Sequence, residues 1–169
     1  MNEKNIRLKI LEEKETVEIN ANEENKISVK PILVPHRQEY SETVAYHISH
    51  KNNFFSAIFC PDIDTLNSDK SQVLIDHILF SHHVFFDGTF YSSNEISSLR
   101  DFMFFFFFFF NIFFFFFPIF FFYFFFIDRT IPHPPIVDTI QFVLNNPKMS
   151  PSKFHFIHFN HTNPLLNKK

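Results

Sequence analysis

The segment "FFSAIFCPDIDTLNSDKSQVLIDHILFSHHVFFDGTFY", residues 54–91, carries the clearest secondary-structure pattern of the chain. It opens on a short apolar run, Phe54–Cys60, of strand length and composition. Next comes "SDKSQVLIDHILFSH", where Val73, Leu74, Ile75 and Ile78 fall near helical spacing and Ser68 is placed to cap the helix. "HVFFDGTFY" then reads as a short buried strand that ends in a turn at Asp87-Gly88. Strand, helix and strand in that order are the unit of an α/β fold.

Working outward, "TVAYHI" (Thr43–Ile48) and the Phe54–Cys60 run bracket the polar turn "SHKNN", which predicts a hairpin. Further upstream, "IRLKILEE" alternates apolar and polar at Ile6, Leu8 and Ile10, the period of a half-buried strand. "TVEI" and "ISVKPILV" add two extended pieces around the polar turn "NANEEN". Their charges alternate in sign, as on a solvated sheet face. Downstream, "IVDTIQFVLNN" after "PHPP" predicts a helix with Ile136, Ile140, Val143 and Leu144 on one side. "SKFHFIHFNHTNPLL" predicts a strand running into a polar turn.

With 169 residues the chain is long enough for one domain with a core. A net charge of -3 and the lack of a basic block argue against nucleic acid as a partner. The single cysteine, Cys60, excludes an intramolecular disulfide framework and fits a reducing compartment. The charged start "MNEKNIRLKI" shows no secretory signal, so the expected localisation is cytoplasmic. Gly88 is the only glycine, which excludes a Gly-rich phosphate loop.

Three segments share one form, an apolar run followed at once by an ionisable residue. "PILVP" leads to His36, "SAIFCP" to Asp62 and "FHFIHFN" to His161. Functional groups gather where the strands of layered α/β folds end, so these three are expected to converge. Two imidazoles and a carboxylate are donors that zinc, iron or manganese accept. The alternative is that each is an ordinary polar strand-end residue. "HFIHFNH" is not a chelating run: on a strand, His155 and His161 lie ~20 Å apart and His158 faces the other way. His47 and His50 fail in the same manner, and His82 and His83 read as surface residues. Cys60 has no basic partner beside it and reads as buried and inert.

"VPHRQEYSETVAY" (Val34–Tyr46), "PDID" (Pro61–Asp64), "FFDGTFYS" (Phe85–Ser92), "IPHPPIVDT" (Ile131–Thr139) and "FIHFNHTNPLL" (Phe156–Leu166) occur in that order. Together they resemble the coenzyme PQQ synthesis protein B family, a branch of the metallo-β-lactamase fold. The resemblance implies an αββα sandwich with a metal site at one edge of its sheets, of which this chain would supply the C-terminal half. It makes His36, Asp62 and His161 metal ligands and gives His158 a proton-handling role. The cofactor would be a divalent metal, zinc first, with iron or manganese as alternatives. The implied chemistry is activation of a metal-bound water, or oxygen chemistry with iron, on a small-molecule substrate. His133, Asp87 and Asn160 match family blocks without a clear role. The family's HxHxDH motif is absent from this sequence, so the metal site is expected to be incomplete and the chain inactive alone.

The blocks are interrupted by "MFFFFFFFNIFFFFFPIFFFYFFFI", Met103 to Ile127. Residues 102–127 thus separate a first domain piece, 1–101, from a last piece, 128–169. Of the 30 Phe residues, 19 lie in this tract, which sets it apart from the ordinary composition around it. It is long enough for a membrane span, but Asn111 and Pro118 fall inside and the flanking Arg100, Asp101, Asp128 and Arg129 give no positive side. A core element is a poorer fit, since a side apolar all round must be buried on every face. The favoured expectation is a T-rich stretch of DNA read through, as in a retained intron. The competing view is a non-enzymatic truncated product, membrane-associated through the tract.

Overall fold

The structure is a computed structural model of the chain, and it describes residues 15–20, 26–37, 41–50, 55–95 and 133–167. The expected strand at Ile6–Ile10 and the Phe tract lie outside the described residues. Among the described residues, six strands form one sheet in sequential order: β1 Val17–Asn20, β2 Lys26–Leu33, β3 Val44–His50, β4 Ser56–Cys60, β5 His83–Asp87 and β6 Phe154–Ile157. The first three pairings are antiparallel, and β4–β5 and β5–β6 are parallel. The hairpin expected around "SHKNN" is the β3–β4 pair, closed by the His50 amide donating to the Phe55 carbonyl at 2.9 Å. Parallel neighbours need a crossover; α1, Gln72–Phe80, lies in the β4–β5 connection and α2, Ile136–Leu144, lies in the one to β6. The chain is therefore mixed α/β.

Register explains which side is buried. Ile58, Val84 and Phe154 form one cross-strand row, and Cys60, Phe86 and Phe156 another. Both rows face the core, where Leu74 and Ile78 of α1 and Val143 of α2 pack with Ile32 and Ala45. The row between them, Phe59, Phe85 and His155, points to the opposite face. There Phe59 and Phe85 are exposed. The two described helices therefore cover one face of this sheet, the one carrying the buried rows.

Two local expectations are corrected. Ser68 does not cap the helix: a 3-10 turn, Asp69–Ser71, precedes α1, and Ser68 Oγ pairs instead with Ser71 Oγ at 2.9 Å. Ser71 in turn donates to the Thr65 carbonyl at 2.8 Å, so the hydroxyls tie the entering loop rather than the helix end. On α2 the buried positions are Ile136, Thr139 and Val143, whereas Ile140 and Leu144 are exposed. The sequence pattern weighed apolar residues only and missed that a threonine occupies the inward stripe.

Candidate metal centre

β2 runs in the same direction as β4, and β4, β5 and β6 are parallel. The C-terminal ends of these four strands therefore meet at one edge of the sheet. His36 follows β2, Asp62 follows β4, Asp87 closes β5 and His158 follows β6. His133 joins them from just ahead of α2. The crossover connections bring strand ends from distant parts of the chain to one place.

His36 Nδ1 donates to the Arg37 carbonyl at 3.1 Å. A carbonyl can only accept, so Nδ1 carries a proton here, and in the neutral ring the lone pair lies on Nε2. Nε2 lies 3.3 Å from Asp62 Oδ1 and 3.9 Å from Asp64 Oδ1. Both of those carboxylate oxygens are shielded from solvent and accept no hydrogen bond. Buried charged acceptors without donors are costly. Here the contacts to His36 fall within ion-pair reach but do not make hydrogen bonds. Asp64 is held in place by its amide, which donates to the Pro35 carbonyl at 2.8 Å.

One donor atom from each of Asp62, Asp87 and His133 lies within 4.8 Å of the others. Asp87 is the least available of the three. It is fully buried, and its Oδ2 accepts from His133 Nδ1 at 2.7 Å and the Ile63 amide at 3.2 Å. Its Oδ1 accepts from the Thr89 hydroxyl at 2.7 Å and the Thr89 amide at 2.9 Å. Such a saturated carboxylate orients a histidine rather than ligating an ion itself. With Nδ1 committed to Asp87, the other nitrogen of His133 offers a lone pair only when the ring is neutral. His133 Nδ1 also lies 3.5 Å from Asp62 Oδ1. Burial works against a charge on His133, but the hydrogen bond to Asp87 and the charges of Asp87, Asp62 and Asp64 outweigh it, so its pKa is raised.

His158 is exposed, with a left-handed backbone at φ 59°. Its Nδ1 lies 3.4 Å from the Thr89 hydroxyl, and its ring centroid is 6.3 Å from that of His133. The structure thus gathers His36 and Asp62, and brings His158 to the margin of the cluster through Thr89. His161 sits in the turn beyond β6, exposed, and its side chain joins none of these contacts among the described residues. β6 ends at Ile157, earlier than the run "FHFIHFN" suggests, so His161 stands four positions past the strand end rather than at it. Sequence reasoning placed Asp87 and His133 in family blocks without a role, and gave none to Asp64. The usable signal was the strand-end position of Asp87, since "HVFFD" has the same form as "SAIFCPD".

Cys60 is fully buried, and burial followed by the charges of Asp87 and Asp62 pushes its thiol pKa far up. It is a core residue, not a nucleophile.

The fold and the site define a mixed α/β protein with a carboxylate–imidazole cluster at the C-terminal edge of its sheet. No protein-family model matches the chain, and no curated protein matches it in sequence. Among the described residues, no helix is long and apolar enough to cross a membrane.

Proposed function

We propose that this chain binds a divalent cation at Asp62, whose Oδ1 stands 3.3 Å from His36 Nε2 and 3.5 Å from His133 Nδ1, and belongs to a metal-dependent enzyme acting on a small molecule. The observation that carries this reading is the pair of buried carboxylate oxygens, Asp62 Oδ1 and Asp64 Oδ1, that accept no hydrogen bond beside His36 Nε2. The donor set of imidazole nitrogen and carboxylate oxygen suits zinc, manganese or iron. His36 Nε2 and Asp62 would hold the ion, with His133 as the third donor, oriented by Asp87. A cation bound there supplies Lewis-acid chemistry, lowering the pKa of water or polarising a substrate oxygen. His158, linked through Thr89, is placed to exchange protons with a substrate at the rim.

The resemblance of the sequence blocks to the PQQ synthesis protein B family supports the same reading. The resemblance also makes His161 a ligand; it lies in the exposed turn that follows β6. The test is calorimetric titration of zinc and manganese into the chain and into Asp62→Asn and His36→Ala. Saturable binding that each substitution weakens by tenfold or more is expected. Binding equal in all three proteins removes the proposal.

A further inference from the structure

The sheet face away from the two described helices carries histidines that the cation centre at Asp62 does not use. His83 opens β5 opposite Ala57 of β4, and His155 lies on β6 opposite Phe85. Alternation puts both rings on the face that also carries Phe59 and Phe85. His83 Nδ1 and His155 Nε2 meet there at 3.0 Å in an exposed hydrogen bond. Each imidazole is also packed on a phenyl ring, His83 on Phe55 with centroids 5.4 Å apart and His155 on Phe85 with centroids 5.1 Å apart. The two imidazoles are themselves stacked at 5.2 Å. Strand pairing and ring packing together hold the two nitrogens at a set separation, the preorganisation that a chelating pair needs. His82 extends the row by stacking on Phe55. Its Nδ1, however, accepts from the Ser56 amide at 3.2 Å, which leaves the proton of the neutral ring on Nε2. The donors on offer are therefore the two nitrogens of the pair.

Their separation selects a geometry. Metal–imidazole bonds of about 2.0–2.1 Å put two nitrogens about 2.9 Å apart at a right angle and about 3.3 Å apart at the tetrahedral angle. The observed 3.0 Å fits the right angle, the arrangement of neighbouring ligands in a square-planar or tetragonal sphere. Copper(II) and nickel(II) favour that sphere with nitrogen donors, and copper(II) binds such donors most tightly of the divalent first-row ions. The proton balance also closes. In the hydrogen bond one of the two facing nitrogens carries a proton and the other a lone pair. On ligation both give lone pairs, so the donating ring changes tautomer through solvent and carries its proton on the outer nitrogen. Two neutral imidazoles thus take the ion with no net proton released.

We propose that His83 and His155 form a second metal site, made only of imidazoles, that takes copper(II) or nickel(II) in two adjacent positions of its coordination sphere. It is independent of the cation centre at Asp62. The test is a copper(II) titration of the full chain followed by electron paramagnetic resonance. One equivalent is expected to show hyperfine structure from two nitrogens. His83→Ala and His155→Ala are each expected to weaken binding at least about tenfold, because each removes the intramolecular partner of the other. The double variant should bind little more weakly than either single one, the mark of two groups acting as a unit. His82→Ala removes a ring of the same row but no donor, and is expected to keep the two-nitrogen signal. A one-nitrogen signal in the parent chain, or copper affinity unchanged in either single variant, reduces the contact to a plain hydrogen bond and overturns the inference. Paramagnetic broadening in the unsubstituted chain reads the same claim without relying on how the variants fold. The ring protons of His83 and His155 should vanish from NMR spectra before those of His36 and His133. Earlier broadening at His36 and His133 would assign the copper to the Asp62 centre and overturn the inference.

Discussion

Gly88 stands just past β5, against the end of β6. Its amide donates to the Ile157 carbonyl at 2.8 Å, and a Cβ built at this position would lie 2.9 Å from that same oxygen and 3.0 Å from the Phe156 Cβ. The obstacle is backbone, so it cannot swing aside. Gly88→Ala is expected to destabilise the protein by about 1–3 kcal/mol, as overpacked positions do, measured by urea denaturation. Unchanged stability would show that the β5–β6 junction is looser than this contact implies. Asp87, next to it, ties together the loop after β4, the turn after β5 and His133 through four hydrogen bonds. Asp87→Asn places an amide against donors, and a cost of about 2 kcal/mol or more is expected. The same change releases His133 from its fixed orientation, so cation affinity should fall even where the protein stays folded. Both residues were visible in the sequence as the turn "FFDGT", but a turn signal alone cannot show that the carboxylate is buried and fourfold bonded.

At the scale of elements, α1 depends on contacts from far along the chain. Lys153 Nζ, in the turn before β6, donates to the Ile78 carbonyl at 2.6 Å and the Leu79 carbonyl at 3.3 Å. A cation at a helix C-terminus satisfies free carbonyls and the helix dipole together. Burial nevertheless lowers the Lys153 pKa. Lys153→Met is expected to speed amide exchange in the last turn of α1, and equal exchange rates would exclude the cap. A second link is a basic cluster between β2, β3 and α1. The rings of His47 and His77 lie 4.8 Å apart, and Lys30 Nζ is 3.4 Å from His77 Nε2. Burial, then the neighbouring positive groups, lowers both histidines from 6.5. Asp76 works the other way on His77 but is the weakest influence. The unfolded chain therefore binds more protons than the folded one below about 6.5, so stability rises with pH through that window. Denaturation midpoints measured across it should fall on acidification, and His47→Asn should flatten the curve. A flat curve for the parent chain would contradict the burial of these rings.

Taken as a whole molecule, the strand and helix order from residue 54 onward was readable because short apolar runs, turn residues and helical spacing agreed with one another. The convergence of strand ends was also readable, as a general property of α/β connection. What the sequence could not supply was the depth of each residue at that edge. His36, Asp62 and His161 looked equivalent as residues following apolar runs, yet the first two meet at 3.3 Å and the third stands in an exposed turn. Asp64 lay two positions from Asp62 and carried no separate signal, because its importance comes from an oxygen that accepts no bond. The exposed row with Phe59 and Phe85 has its own consequence. An aromatic sheet face open to water favours association, so Phe59→Lys is expected to lower the apparent mass in light scattering if copies associate through it. No change in mass would exclude that face as a contact.

A cation held at Asp62 would draw on both His36 and His133, which flank it. Long-range proton–nitrogen NMR spectra of the imidazoles, recorded before and after addition of zinc, test it most directly. Nε2 of His36 and the second ring nitrogen of His133 are expected to move, while both nitrogens of His161 keep their positions. Movement of His161 with His36 unchanged would contradict it.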